Sequence, residues 1–158
     1  MSEPSGEIYS LLIPLGGGRL LVPRACVAEI AGYQTPTTMP GAPPWYLGLV
    51  AWTGKQAPLV SFEGLCGDVV PEVSSRSRIV LFHALGERLE SGVFGIVAQG
   101  FPQLVRVGAD VIRPDSGYAV PEQHPVVCRV RMMNETPRIP DLQRLETLIA
   151  DETSVEQV

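Results

Sequence analysis

Two histidines, three cysteines and scattered serines and carboxylates are the side chains of this 158-residue chain that could take part in chemistry. Catalysis and metal binding need such groups to converge, and spacing is the first sign of it. His83 lies in an apolar run and His124 beside Pro125; neither belongs to an H-x-x-x-H pair, and no C-x-x-C is present. Cys26, Cys66 and Cys128 sit in apolar surroundings without an adjacent cationic cluster, which reads as buried, inert thiols. Ser5, Ser61, Ser91 and Ser116 lack the G-x-S-x-G setting of a nucleophile elbow. Gly16-Gly17-Gly18 is not followed by the Lys-Ser or Lys-Thr of a phosphate-binding loop. Glu63 with Asp68, or Asp110 with Asp115, could supply an acid and a base, but their setting reads as solvated loop carboxylates. The expectation is a protein that is not an enzyme and uses no metal or cofactor.

The elements that would carry these groups read as short strands. Ile8 to Pro14 and Leu20 to Val22 flank the three glycines, whose freedom to take positive φ suits a hairpin turn. Cys26 to Ile30 is another β-like run, and Thr35 to Pro44 is a Pro- and Thr-rich crossing. Pro43-Pro44 could start a single helical turn carrying Trp45, Tyr46 and Leu47. Leu49 to Trp52 and Ala57 to Phe62 form a second hairpin, and their unbroken apolar character predicts central strands buried on both faces. A third hairpin joins Arg78 to Ala84 with Gly92 to Ala98. Val126, Cys128, Val130 and Met132 alternate with more polar neighbours, the period of a strand with one inward face. Leu142, Leu145, Leu148 and Ile149 share one helical stripe, which predicts a C-terminal helix over 140–150.

Composition agrees. Gly 16 and Pro 15 are many for a helical protein, while 45% apolar and 18% charged residues suit a packed domain. A net charge of -5 argues against nucleic acid, whose affinity is supplied mainly by cations. An odd, scattered set of cysteines fits a reducing compartment, and residues 1–6 lack the basic, apolar character of an export signal. The apolar runs are too short to span a bilayer, so the expectation is a cytoplasmic protein without membrane insertion. The polar stretch Gly67 to Ser77 divides the chain into β halves of about 7–66 and 77–139. Residues 1–6 read as a disordered leader, 7–150 as one domain and 151–158 as a flexible tail.

Several segments together resemble the CheW-type chemotaxis adaptors. Val27-Ala28-Glu29-Ile30-Ala31-Gly32-Tyr33 resembles that family's V-x-E-I-x-G-Y. Pro43, Tyr46, Gly48, Leu49 to Gly54 and Pro58-Leu59-Val60 resemble its P-x-F-I-x-G-V-x-N-L-R-G-x-x-x-P-I-V. Gly95-Ile96-Val97 with Gly100 resembles G-I-V-V-D-G, and Val111 to Pro114 resembles Q-I-R-P. The resemblance implies an all-β fold of two packed five-stranded SH3-like barrels with a short C-terminal helix. It also implies a non-catalytic adaptor whose partners are the cytoplasmic tip of a methyl-accepting chemoreceptor and a CheA-type histidine kinase. Receptor-facing candidates on this basis are Val27, Glu29, Gly48, Thr53, Gly54 and Gly95.

The departures are specific. The family's Asn, Leu and Arg are Ala51, Trp52 and Thr53, and two family aspartates are Ser61 and Gln99. Threonine cannot replace the charge-assisted hydrogen bonds of arginine, so receptor choice should differ. The pattern is that of a divergent paralogue, similar to the ChpC-like adaptors of type IV pilus twitching systems. The rival readings are an unrelated small β-barrel that binds peptides, an adaptor that binds the kinase alone, and an enzyme.

Overall fold

The computed structural model describes residues 7–156, with side chains through Thr153. The expected leader and residues 157–158 lie outside that range.

The first strands are β1 (Ile8–Leu15) and β2 (Gly18–Pro23), an antiparallel hairpin turning at Gly16-Gly17. A 3-10 turn over Arg24–Cys26 leads into β3 (Val27–Gly32). Then come β4 (Tyr46–Trp52), β5 (Lys55–Val60) and the one-turn helix α1 (Phe62–Leu65). The second part of the chain supplies β6 (Arg78–His83), β7 (Val93–Ala98), β8 (Gln103–Val107), β9 (Ile112–Pro114), β10 (Val126–Met132) and β11 (Arg138–Pro140). It ends on α2 (Leu142–Glu156).

Two sheets result, one of six strands in the order β8-β1-β2-β11-β10-β9 and one of five in the order β3-β6-β7-β5-β4. The fold is all-β with a C-terminal helix, as expected; the sheet holding β1 and β11 has six strands where the resemblance implied five. The sheets do not follow the expected halves. β3, β4 and β5 precede the polar stretch and β6 and β7 follow it, yet all five pair in one sheet. The reason is parallel pairing of β5 with β7 and of β11 with β2, which interleaves the two parts of the chain.

The alternation of side chains explains why so many strands read as apolar on both faces. On β1, Leu12 points into the six-stranded barrel with Leu21, Val107, Val130 and Met132, while Leu11 and Ile13 point the other way. On β6, Ile79 and Leu81 fill the five-stranded barrel, while Val80 and Phe82 face outward. The outward sets meet in a third core between the barrels, joined by Phe62, Phe94, Ile96, Leu145 and Ile149. Each such side chain contributes on the order of 1.5–3 kcal/mol when fully buried.

Three local expectations are corrected. Pro43 to Tyr46 is a turn closed by Tyr46 N–H donating to the Pro43 carbonyl at 2.9 Å, not a helical turn, because buried Tyr46 already pairs with Val60 in the sheet. β4 is an edge of its sheet rather than a central strand. Finally, α2 begins at Leu142, where Asp141 Oδ1 accepts from Arg144 N–H at 3.0 Å, and continues through Glu156. Residues 151–156 of the expected tail are therefore helical. The helix docks through Leu145 and Ile149 and through Glu146, whose carboxylate accepts from the N–H groups of Leu85 and Gly86 at 2.8 and 2.6 Å.

Candidate functional site

All six receptor-facing candidates fall in the five-stranded barrel. Val27 and Glu29 are on β3, Gly48 on β4, Gly95 on β7, and Thr53 and Gly54 form the β4–β5 turn. The structure divides them by exposure: Glu29, Thr53 and Gly54 are exposed, whereas Val27, Gly48 and Gly95 are buried. Val27 belongs to the core between the barrels, so its side chain has no free face to offer a partner. A β-bulge between Val27 and Glu29 separates these neighbours, one turned inward and the other outward.

The three exposed candidates form one patch through Trp52. Its Nε1–H donates to Glu29 Oε1 at 3.1 Å, so the end of β4 touches β3 although the two strands are opposite edges of the sheet. Further contacts close the barrel along this line. Gln34 Nε2 donates to the Ala51 carbonyl at 3.1 Å and its Oε1 accepts from Ala51 N–H at 3.2 Å, an amide standing in for a strand residue. Thr37 and Leu49 exchange N–H···O bonds of 2.8 and 2.9 Å.

Backbone conformation fixes the glycines. Thr53 and Gly54 both have positive φ, 42° and 77°, the signature of the two-residue turn whose twist suits a hairpin. Next to it, Lys55 Nζ donates to the Glu90 carbonyl at 3.4 Å and ties the tip to the β6–β7 connection. Gly48 has φ 139°, and a Cβ there would stand 2.2 Å from the Thr37 carbonyl oxygen. Its absence of a side chain is what lets residue 37 pair with β4. A Cβ on Gly95 would meet Leu81, Ile79 and Leu59 at 3.0, 3.2 and 3.3 Å, which is interior packing.

Two carboxylates read as solvated are buried instead. Glu63 Oε2 accepts from Gly16 N–H at 2.9 Å and Gln99 Nε2 at 3.4 Å, and Ser61 Oγ donates to its Oε1 at 3.5 Å. Glu63 thus ties the β1–β2 turn to the other barrel, and Ser61 also caps α1 by accepting from Gly64 N–H at 3.1 Å. Asp115 accepts from Arg129 Nε at 2.7 Å and Arg131 Nε at 3.4 Å. The Arg129 hydrogen bond is the main reason its carboxyl is held below the ordinary aspartate range.

Burial pushes the Cys66 thiol up, with Arg138 partly opposing it. Among the described residues no group of three or more His, Cys, Asp or Glu could hold a metal. A cavity of about 490 Å³ lies between the hairpin tip and the end of α2, with Met39, Leu49 and Leu89 beside Lys55, Glu90 and Thr153.

Sequence reasoning missed a set of exposed apolar side chains near the seam. Tyr9, Phe101 and Leu104 are 56, 67 and 57% exposed. Leu104 lies opposite Leu11 on β1, and Phe101 lies under Arg78, which itself pairs with Gly32 at the end of β3. No periodic pattern marks them, because β8 is an edge strand with few buried positions.

The CheW-like domain matches residues 10–146, which takes in both barrels and the start of α2. The chain belongs to the CheW-like domain family. Its fold is similar to that of a solved relative, the scaffolding protein TtCheW from Thermoanaerobacter tengcongensis, at a TM-score of 0.73 and 17% identity. That likeness covers 87% of this chain and 86% of the other. No curated protein sequence matches the chain. The family is one of scaffolds and adaptors, and the chain's departures from the CheW pattern now have a physical setting. Ser61 and Gln99, which replace family aspartates, are the groups that hydrogen-bond buried Glu63. Trp52, which replaces the family leucine, supplies the bond to Glu29.

No helix among the described residues is long and apolar enough to cross a membrane.

Proposed function

We propose that this CheW-like chain is a non-catalytic adaptor that couples methyl-accepting chemoreceptors to a CheA-type histidine kinase in the cytoplasm. The observation that carries the reading is the single patch made by Glu29, Trp52, Thr53 and Gly54, where the family-motif residues Glu29 and Gly54 are exposed and Glu29 is hydrogen-bonded to half-buried Trp52. A carboxylate at the rim of a docking surface orients a partner by charge, and the rigid barrel keeps it in place. Exposed Phe101 and Leu104 supply apolar surface of the kind a helical receptor tip would bury. Loss of the family arginine at Thr53 supports a narrower placement beside ChpC-like adaptors of type IV pilus systems, with altered receptor choice.

Titration of the folded chain against a receptor-tip fragment and, separately, a kinase regulatory-domain fragment tests the proposal. Saturable binding to both supports coupling. Binding to the kinase alone would make it a kinase-only adaptor, and binding to neither would leave an unrelated peptide-binding barrel.

A further inference from the structure

Four arginines are arranged in a row across β11, β10 and β9. Arg129 on β10 is directly opposite Arg138 on β11, and Arg131 on β10 is directly opposite Arg113 on β9. Directly opposed residues project to the same face, as do positions 129 and 131 along one strand. Like charges so placed repel, and sheets ordinarily avoid them. The row emerges from the seam between the barrels. Arg138 lies 5.6 Å over the Phe62 ring, Arg129 is one-third exposed, Arg131 is two-thirds exposed at 66%, and Arg113 is exposed.

Neutralisation within the row is incomplete. Asp115 is shared between Arg129 and Arg131, and the Tyr118 ring covers Arg129 at 4.1 Å. Among the described residues, neither Arg113 nor Arg138 makes a salt bridge to a carboxylate. Nearby, Arg19 is already paired with Glu135. All this occurs in a chain of net charge -5, so the arginines do not reflect a generally basic composition.

We propose that this arginine row is a docking surface for a carboxylate-rich segment of a partner protein. The guanidinium fork pairs with carboxylate through two parallel hydrogen bonds, and the acceptors the surface already uses, Asp115 and Glu135, are carboxylates. A long polyanion such as nucleic acid is the poorer fit, since the rest of the chain repels it. The row lies on the six-stranded barrel, apart from the patch of Glu29, Trp52, Thr53 and Gly54 on the other barrel that carries the adaptor reading.

The test uses the full chain and a short fluorescent polyglutamate peptide, with an oligothymidylate of matched charge as the second probe, both followed by anisotropy. Polyglutamate should bind more tightly than the oligonucleotide, with affinity falling as salt rises. Arg131→Gln and Arg113→Gln should each weaken it by at least about fivefold, while Arg76→Gln, at an exposed site elsewhere, changes nothing. Arg113→Gln breaks no bond to Asp115 and keeps the test valid if Arg131→Gln lowers the melting temperature. Absence of polyglutamate binding, equal loss in Arg76→Gln, or tighter oligonucleotide binding would overturn the proposal. So would a dimer in sedimentation that Arg113→Gln abolishes, since the occupant would then be a second copy.

Discussion

Trp52 and Glu29 stand on opposite edges of the five-stranded sheet, and the 3.1 Å bond from the indole N–H to the carboxylate makes them neighbours. The carboxylate is thereby held in one orientation at the barrel surface. Glu29→Lys should weaken receptor-tip association by on the order of 1–3 kcal/mol, leaving kinase binding and thermal stability nearly unchanged. Glu29→Gln keeps an acceptor for the indole and removes only the charge, so its loss should be smaller. Calorimetric titrations with both partner fragments distinguish the cases: equal losses for both partners would point to misfolding, and no loss would make Glu29 an ordinary surface group.

The β4–β5 turn and Gly48 should respond in opposite directions. Thr53 is a β-branched residue at φ 42°, so Thr53→Asn should stabilise the fold by on the order of 0.5–1 kcal/mol. Gly48→Ala must accommodate a Cβ 2.2 Å from the Thr37 oxygen and should cost about 2–4 kcal/mol. Denaturant unfolding of the two variants measures both. A Gly48→Ala protein as stable as the parent would mean that residue 37 does not pair with β4.

Restoring the family aspartate at position 99 should harm this chain. Gln99 Nε2 donates to Glu63 Oε2 at 3.4 Å, and Gln99→Asp would replace that donor with a half-buried carboxylate facing buried Glu63. The expected cost at neutral pH is about 1–2 kcal/mol. Two adjacent carboxylates repel only while both are charged, so the deficit should shrink as pH falls and one of them takes up a proton. Melting temperatures across the acid range check this; a deficit independent of pH would assign the effect to packing.

Asp115 makes the opposite contribution to pH dependence. Its carboxyl is held below the ordinary aspartate value chiefly by the hydrogen bond from Arg129, so its stabilisation is present above the unfolded-state pKa and is lost as pH falls through the lower, folded-state value. Asp115→Asn should lower the melting temperature at neutral pH and converge on the parent in acid. Parallel curves at every pH would show that the arginines do not sense its charge.

Cleavage within 67–76 should leave no stable fragment when the pieces are parted. β3, β4 and β5 lie before the cut and β6 and β7 after it, yet they form one sheet, so neither piece retains a closed barrel. Circular dichroism of the separated fragments is the measurement. A fragment with cooperative melting would make the polar stretch a true domain linker.

Local chemistry was legible in the sequence where it was strong. Gly16 and Gly17 marked a turn, and the alternation of Cys128, Val130 and Met132 marked one inward face, because turn residues and period-2 burial act over short distances; the bulge after Val126, which turns that residue into the core between the barrels instead, left no such mark. Parallel pairings were not legible: only long-range packing sets β5 beside β7, and the expected halves failed there. The buried roles of Glu63 and Asp115 were hidden for the same reason, since their partners Gly16, Gln99 and Arg129 are remote in sequence. Gly48 and Gly95 matched a family motif, yet the match alone could not tell a glycine required by close backbone approach from one that faces a partner.

The placement of Lys55 has a practical use. It is the only lysine in the chain, is exposed, and directly follows Thr53 and Gly54. Amine-selective acylation therefore has a single side-chain target, located on the candidate patch itself. A dye or crosslinker attached there would report occupancy of the hairpin tip without any engineered residue, and protection of Lys55 from acylation would map a bound partner to one edge of one barrel.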